Sequence, residues 1–266
     1  MKNIKFQNIR GEFKRVRGEI FSYLLALFKK TKEPDSKFII FSKGRTGSNL
    51  LRTLLNSHPE IVCEGDIFLR LYVRILSLKL YIKGRIAKNP TNVYGFQLKL
   101  TQLERQKIDA KQFLSYLHEN GWKIIYLSRK NLFRRIISAK VANSRHQWLY
   151  HDSKSGSDYS TSFKIHLDGE KLLTSLEKAE ISELKDKALL EQLPYLEIFY
   201  EDDLLKAEQH QKTADKIFDF LGVQSASIET NMVRTPYQNL AEVIENYDEI
   251  AALLSKTKYA HYLEED

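Results

Sequence analysis

Apolar positions in this chain fall into short continuous runs separated by longer amphipathic stretches. KFIIFS, residues 37–42, is β-branched and aromatic and is bounded upstream by Pro34 and Asp35; it predicts a buried strand. A glycine-containing turn, SKGRTGS, follows it. NLLRTLLNSH then places Leu50, Leu51, Leu54 and Leu55 on one helical face, until His58-Pro59 ends the helix. VYGFQL at 93–98 predicts a second strand, and 109–119 a helix stopped by Asn120-Gly121. KIIYLS at 123–128 predicts a third buried strand, which runs straight into the basic helix RKNLFRRIISAKVANSR. Residues 151–159 are rich in Ser, Gly and Asp and predict an exposed loop. YLEIFYEDDL predicts a late strand ending in acids, 207–221 an amphipathic helix stopped by Gly222, and NLAEVIENYDEIAALLS a last helix. Strands alternating with helices imply an α/β fold, a parallel sheet with helices on both faces.

Length and composition narrow this picture. The 266 residues suit one large domain, expected at 35–266, with a loosely attached basic N-terminal segment at 1–34. A net charge of +8 favours anionic partners or, alternatively, only a solvated basic surface. Zinc-finger spacing, an RNP motif and basic blocks interleaved with aromatics are missing, so no nucleic-acid partner is expected. The single cysteine, Cys63, excludes an intramolecular disulfide and fits a reducing, cytoplasmic location, with the thiol as packing rather than nucleophile. The apolar run 20–28 is broken by Ser22 and is too short to span a bilayer, and no small-residue cleavage site follows it. Two readings of the segment stay open: a helix peripheral on an acidic membrane surface, or a helix packed on the domain.

The chemistry-bearing residues cluster after two of the strands. In SKGRTGSNLL, Gly44 and Gly47 allow a tight turn close to an oxyanion. The helix that follows presents backbone N–H groups and its positive dipole end to that anion. Thr46 and Ser48 add hydroxyls, and Arg45 adds a planar cation able to bind two phosphate oxygens at once. A Walker A loop would place Lys-Ser/Thr after its last glycine; here Gly47 is followed by Ser48-Asn49. Nor does KIIYLS end in a magnesium-holding aspartate, so ATP-dependent phosphotransfer fits poorly and no metal is expected. Arg129 ends the third strand, and Ser138 lies nine residues on, in the helix. An arginine and a phosphate loop at the carboxyl ends of two parallel strands converge on one edge of the sheet, where they could grip a ligand carrying two separated phosphates.

The pairing of SKGRTGSNLLRTLLNSHPEIVCEGD with LSRKNLFRRIISAKVANSRHQW resembles the two cofactor motifs of sulfotransferases that use 3'-phosphoadenosine 5'-phosphosulfate (PAPS). It is most similar to bacterial carbohydrate types such as the trehalose and nodulation-factor enzymes. IFYEDDLLK and KIFDFLGV resemble the family's C-terminal half, and the likeness spans roughly 37–254. The resemblance implies a nucleotide-kinase-like P-loop sheet and PAPS as co-substrate. It places Arg45, Thr46, Gly47, Ser48 and Asn49 on the 5'-phosphosulfate, Arg129 and Ser138 on the 3'-phosphate, and Lys43, Gly44 and Arg234 in the same cofactor set.

In the carbohydrate branch a glutamate after the first helix, often in a Gly-Glu pair, takes the acceptor's proton. Here the matching pair is Gly65-Asp66, making Asp66 the first choice and the preceding Glu64 the second. The family's Gly-Phe-Lys segment reads GFQLKL, with Gln97 at the lysine position. Strand periodicity puts Lys99 on the same face as Gln97, as a residue that could steady the acceptor or the departing group. His58 is expected to be structural, and Trp148 to pack or to stack on a sugar or adenine. The resemblance favours a sugar or glycolipid hydroxyl as acceptor. A P-loop phosphotransferase and a non-catalytic membrane-surface protein are the alternatives.

Overall fold

A computed structural model describes residues 2–69, 73–145, 164–230 and 239–264. At its centre is a five-stranded parallel sheet in the order β2-β3-β1-β4-β5. Its strands are β1 (Ser36–Ser42), β2 (Ile61–Asp66), β3 (Val93–Leu98), β4 (Trp122–Ser128) and β5 (Tyr195–Phe199). Nine α-helices occur among the described residues: α1 (Lys2–Phe28), α2 (Ser48–Asn56), α3 (Leu78–Lys88), α4 (Leu100–Gln106), α5 (Ala110–Glu119), α6 (Leu132–Arg145), α7 (Gly169–Leu190), α8 (His210–Leu221) and α9 (Tyr247–Leu254).

The three central strands, β3, β1 and β4, are almost continuously buried because both faces of the sheet are covered. Alternate residues go to opposite layers. Ile39, Phe41, Ile124 and Tyr126 pack with α3, α4 and α5, while Phe38, Ile40, Ile125 and Leu127 pack with Leu51, Leu54 and Leu55 of α2 and with α8. A third apolar cluster joins α6, α7 and α9 beside the sheet. Cys63 lies in the α2 layer, where burial pushes its thiol up to about 12, so it packs as a neutral side chain. His58 is structural as well, its Nε2 3.0 Å from the Gln224 carbonyl and its ring against Phe218.

The strands and helices expected near 37–56, 93–98, 109–145 and 195–222 are present. Four strands or α-helices were passed over: β2, the short α4, and the charge-rich α3 and α7. β2 carries Glu64, Gly65 and Asp66 in six residues, which masks its alternation. The single helix expected from NLAEVIENYDEIAALLS is a 3-10 turn, Leu240–Glu242, followed by α9. Tertiary contacts divide it. Ile244 forms a parallel bridge with Ile165, and the Asn246 side chain holds both backbone groups of Leu167, at 3.0 and 2.9 Å. The loop at 151–159, Trp148 and Arg234 lie outside the described residues.

Candidate active site at the carboxyl edge of the sheet

All five strands run the same way, so their carboxyl ends form one edge. Along it lie Asp66 at the end of β2, Lys99 after β3, the loop 43–47 after β1, Arg129 after β4 and Glu201 after β5.

The central loop turns through two left-handed residues, Arg45 at φ 67° and Gly47 at φ 86°. Arg45 holds a backbone conformation that suits glycine, a cost tolerated where the surrounding structure over-determines it. Gly47 is required on steric grounds too, because a Cβ there would lie 2.6 Å from the Tyr200 ring. Gly47 caps α2 without any side-chain hydrogen bond to the helix amides, so the positive end of α2 opens onto the loop. Thr46 is buried and donates to the Lys43 carbonyl at 2.9 Å, closing the turn. The amide of Gln97 donates to the Ser48 carbonyl at 2.6 Å and lies 3.4 Å from Asn49 Oδ1, tying β3 to the start of α2.

The two motifs meet through direct bonds. Arg45 Nε donates to Ser138 Oγ at 2.9 Å, and Arg129 Nη1 donates to the Arg45 carbonyl at 3.4 Å. Ser138, expected beside Arg129, therefore bonds the loop arginine instead. Its hydroxyl proton remains a possible donor to a ligand.

Arg129 is held from β5. Its Nε lies 3.3 Å from Glu201 Oε1, and its guanidinium stands 4.8 Å from the centre of the Tyr200 ring. Burial pushes the guanidinium below its usual range, and Tyr200 and Glu201 oppose that shift. Glu201 also accepts from the amides of Lys130 and Asn131 at 2.9 and 3.2 Å, and Asn131 Oδ1 accepts from the amide of Arg134, capping α6. The sequence reading noted acids at the end of this strand without giving them a role. The only signal was the YEDDL run itself, which folds into a π-helical turn, Tyr200–Leu204, against the loop.

Lys43, expected among the cofactor residues, is turned elsewhere. Its ammonium pairs at 2.6 Å with Asp186 of α7. Strand alternation explains this: Lys43 continues the face of Ile39 and Phe41, away from α2. Burial raises the Asp186 carboxyl above the usual range, and Lys43 pulls against that shift. Nearby, Glu183 of α7 bonds the Tyr126 hydroxyl at 2.8 Å and pairs with Arg135. These partners anchor α6 and α7 beneath the loop.

At the other end of the edge, a bulge at Gly65 separates the two acids proposed from sequence. Glu64 is consumed by structure: it takes Arg85 in a two-pronged pair, the Tyr94 hydroxyl at 2.6 Å and Asn89 at 3.2 Å. Asp66 comes opposite Gln97 in the register, and both its oxygens are held by Lys99 Nζ, at 2.7 and 2.5 Å. The pair is about a quarter exposed, at 22% and 26% for the two side chains, so solvent reaches it. The shared face expected for Gln97 and Lys99 brings Lys99 to Asp66.

No protein-family model matches the chain, and no curated protein matches its sequence. Among solved structures, a sulfotransferase from Alicyclobacillus acidocaldarius is similar over 89% of this chain and 98% of its own, at 14% identity and a TM-score of 0.49. The mouse sulfotransferase SULT7A1, complexed with PAP, is similar over 91% of this chain and 93% of its own, at 15% identity and a TM-score of 0.40. At these values neither likeness assigns a role to a residue.

Proposed function

We propose that this chain is a sulfotransferase that moves the sulfuryl group of PAPS to a hydroxyl of a carbohydrate or glycolipid acceptor. One observation carries the reading. Two cationic motifs, 84 to 93 residues apart in sequence, touch each other at the mouth of an uncapped helix. Such a site suits a ligand with two separated anionic groups.

In this reading the start of α2 and Arg45 receive the 5'-phosphosulfate, and Arg129 with Ser138 the 3'-phosphate. The acceptor oxygen attacks sulfur, the bond from sulfur to the bridging phosphate oxygen breaks, and adenosine 3',5'-bisphosphate leaves with the electron pair. Asp66 takes the acceptor's proton, and Lys99 fixes the direction of its carboxylate. The carbohydrate preference rests on the sequence resemblance alone.

A thermal-shift series tests the class. Adenosine 3',5'-bisphosphate without magnesium should raise the melting temperature, by about 2.7 kcal/mol of stabilisation at a hundredfold excess over Kd. ATP with magnesium acting in its place would favour a phosphotransferase, and no response to either would remove nucleotide chemistry altogether. Labelled PAPS presented to an acceptor panel then identifies the hydroxyl.

Arg129→Ala tests the 3'-phosphate assignment. Glu201 keeps its two backbone donors in this variant, so the site should survive the loss of the cation. Affinity for adenosine 3',5'-bisphosphate should fall about ten- to a hundredfold, the worth of a charge-assisted hydrogen bond, while 5'-AMP loses little. Equal losses for both nucleotides by calorimetry would contradict the assignment.

A further inference from the structure

The N-terminal helix is packed with its polar side inward. Glu12, Glu19, Ser22 and Ala26 of α1 are buried, and they share one helical face. Phe13, Ile20, Phe21, Leu24, Leu27 and Phe28 are exposed, Phe28 by 80%, and they form a stripe about a third of the way round the other side. A helix that covers a globular core ordinarily does the reverse.

Specific bonds hold this orientation. Glu19 Oε1 accepts from the Leu76 amide at 3.0 Å and bonds the Tyr23 hydroxyl, which accepts from the Ser77 amide at 3.0 Å. Lys29 Nζ donates to the Ala87 carbonyl at 2.7 Å, in the last turn of α3. Between these points α1 lies so close to α3 that a Cβ on Gly84 would sit 1.8 Å from the Ser22 carbonyl oxygen. Rolling α1 to hide its apolar stripe would break all these contacts. Val73 and Leu76, on the segment that α1 grips, are exposed as well and widen the patch. A contiguous apolar face of this kind marks an interaction surface.

Charge points to the partner. Residues 1–32 contain nine Lys or Arg and two Glu, nearly the whole of the chain's +8, and both Glu are among the buried residues of α1. Arg17 is exposed within the stripe, Lys14 beside it and Lys30 and Lys32 just past the end of α1, and Lys79 and Lys83 are exposed on the neighbouring α3. A second copy of the chain would set this cationic surface against itself. No helix among the described residues is long and apolar enough to cross a membrane.

We propose that α1 docks in the plane of an anionic lipid membrane, its Phe13-to-Phe28 stripe at the acyl boundary and its lysines and arginines on the acidic headgroups. This does not depend on the sulfotransferase reading.

Vesicle flotation of the full chain tests it. The protein should float with phosphatidylserine-containing vesicles, stay behind with pure phosphatidylcholine, and be released by salt. Phe21→Ser with Leu24→Ser should lower partitioning at least about tenfold. Arg17→Glu and Lys30→Glu should each lower it about fivefold or more. These positions are exposed, so an unchanged circular dichroism melt is expected and separates docking from folding. No binding to anionic vesicles, or variants that float like the parent, would overturn the proposal. So would concentration-dependent dimerisation in sedimentation that Phe21→Ser abolishes without vesicles present, since a second copy would then own the stripe.

Discussion

Replacing Asp66 by Asn should lower sulfuryl transfer by about 10²- to 10⁴-fold, the range of a general base, while affinity for adenosine 3',5'-bisphosphate should stay intact. The site separates these effects because Asp66 ends β2, two strands from the loop on β1, and its carboxylate is held, among the described residues, by Lys99. Asn keeps the shape and one oxygen for Lys99 but has no carboxylate to take a proton. Lys99→Ala should reduce turnover less, as expected of a residue that positions the base. Glu64→Gln gives the contrasting outcome. Glu64 joins Arg85, Asn89 and Tyr94, so its loss should appear as stability, about 3 kcal/mol for breaking a largely buried pair, with turnover per folded molecule near normal. Steady-state kinetics and thermal melts on the three variants check this. A large turnover loss confined to Glu64→Gln would transfer the role to Glu64, and normal rates in both acid variants would mean that no carboxylate on β2 acts as base.

Replacing Arg45 by Ala should lower turnover at least about a hundredfold, the scale of losing one charge-stabilising donor at a developing negative charge. Arg45 sits within the loop, and its Nε reaches Ser138 on α6, so it ties the two motifs together, and under the proposed function it is also the cation for the phosphosulfate. Its left-handed backbone supplies two controls. Arg45→Gly relaxes that conformation while removing the cation, so it should melt no lower than the Ala variant and be equally slow. Arg45→Lys keeps a charge without the planar fork and should fall between the two extremes. A normal rate in Arg45→Ala would remove this residue from the mechanism.

Much of the edge was readable locally. Continuous apolar runs identified β1, β3 and β4, and the residues that follow β1 and β4 carry the glycine turn and the arginine of the two candidate motifs. The acids of β2 were named as chemistry although β2 was not recognised as a strand, because its polar end hides the pattern that its buried Ile61 and Cys63 carry. The long α7 was missed altogether, and with it Asp186 and Glu183, since its buried positions are spread thinly among charged ones.

By itself, then, the sequence determined the strand–loop–helix units, their parallel arrangement and the residue types at each strand end. Backbone periodicity and turn chemistry act over a few residues and leave a local trace. Only the tertiary structure decided which side chains became partners. Lys43 leaves the loop for Asp186, Arg129 rests on Glu201 and Tyr200, a one-residue bulge parts Asp66 from Glu64, and α1 turns its apolar stripe outward. Each depends on elements brought together from distant parts of the chain. The energy of a buried ion pair or a close helix contact comes from that meeting, and no local pattern encodes it.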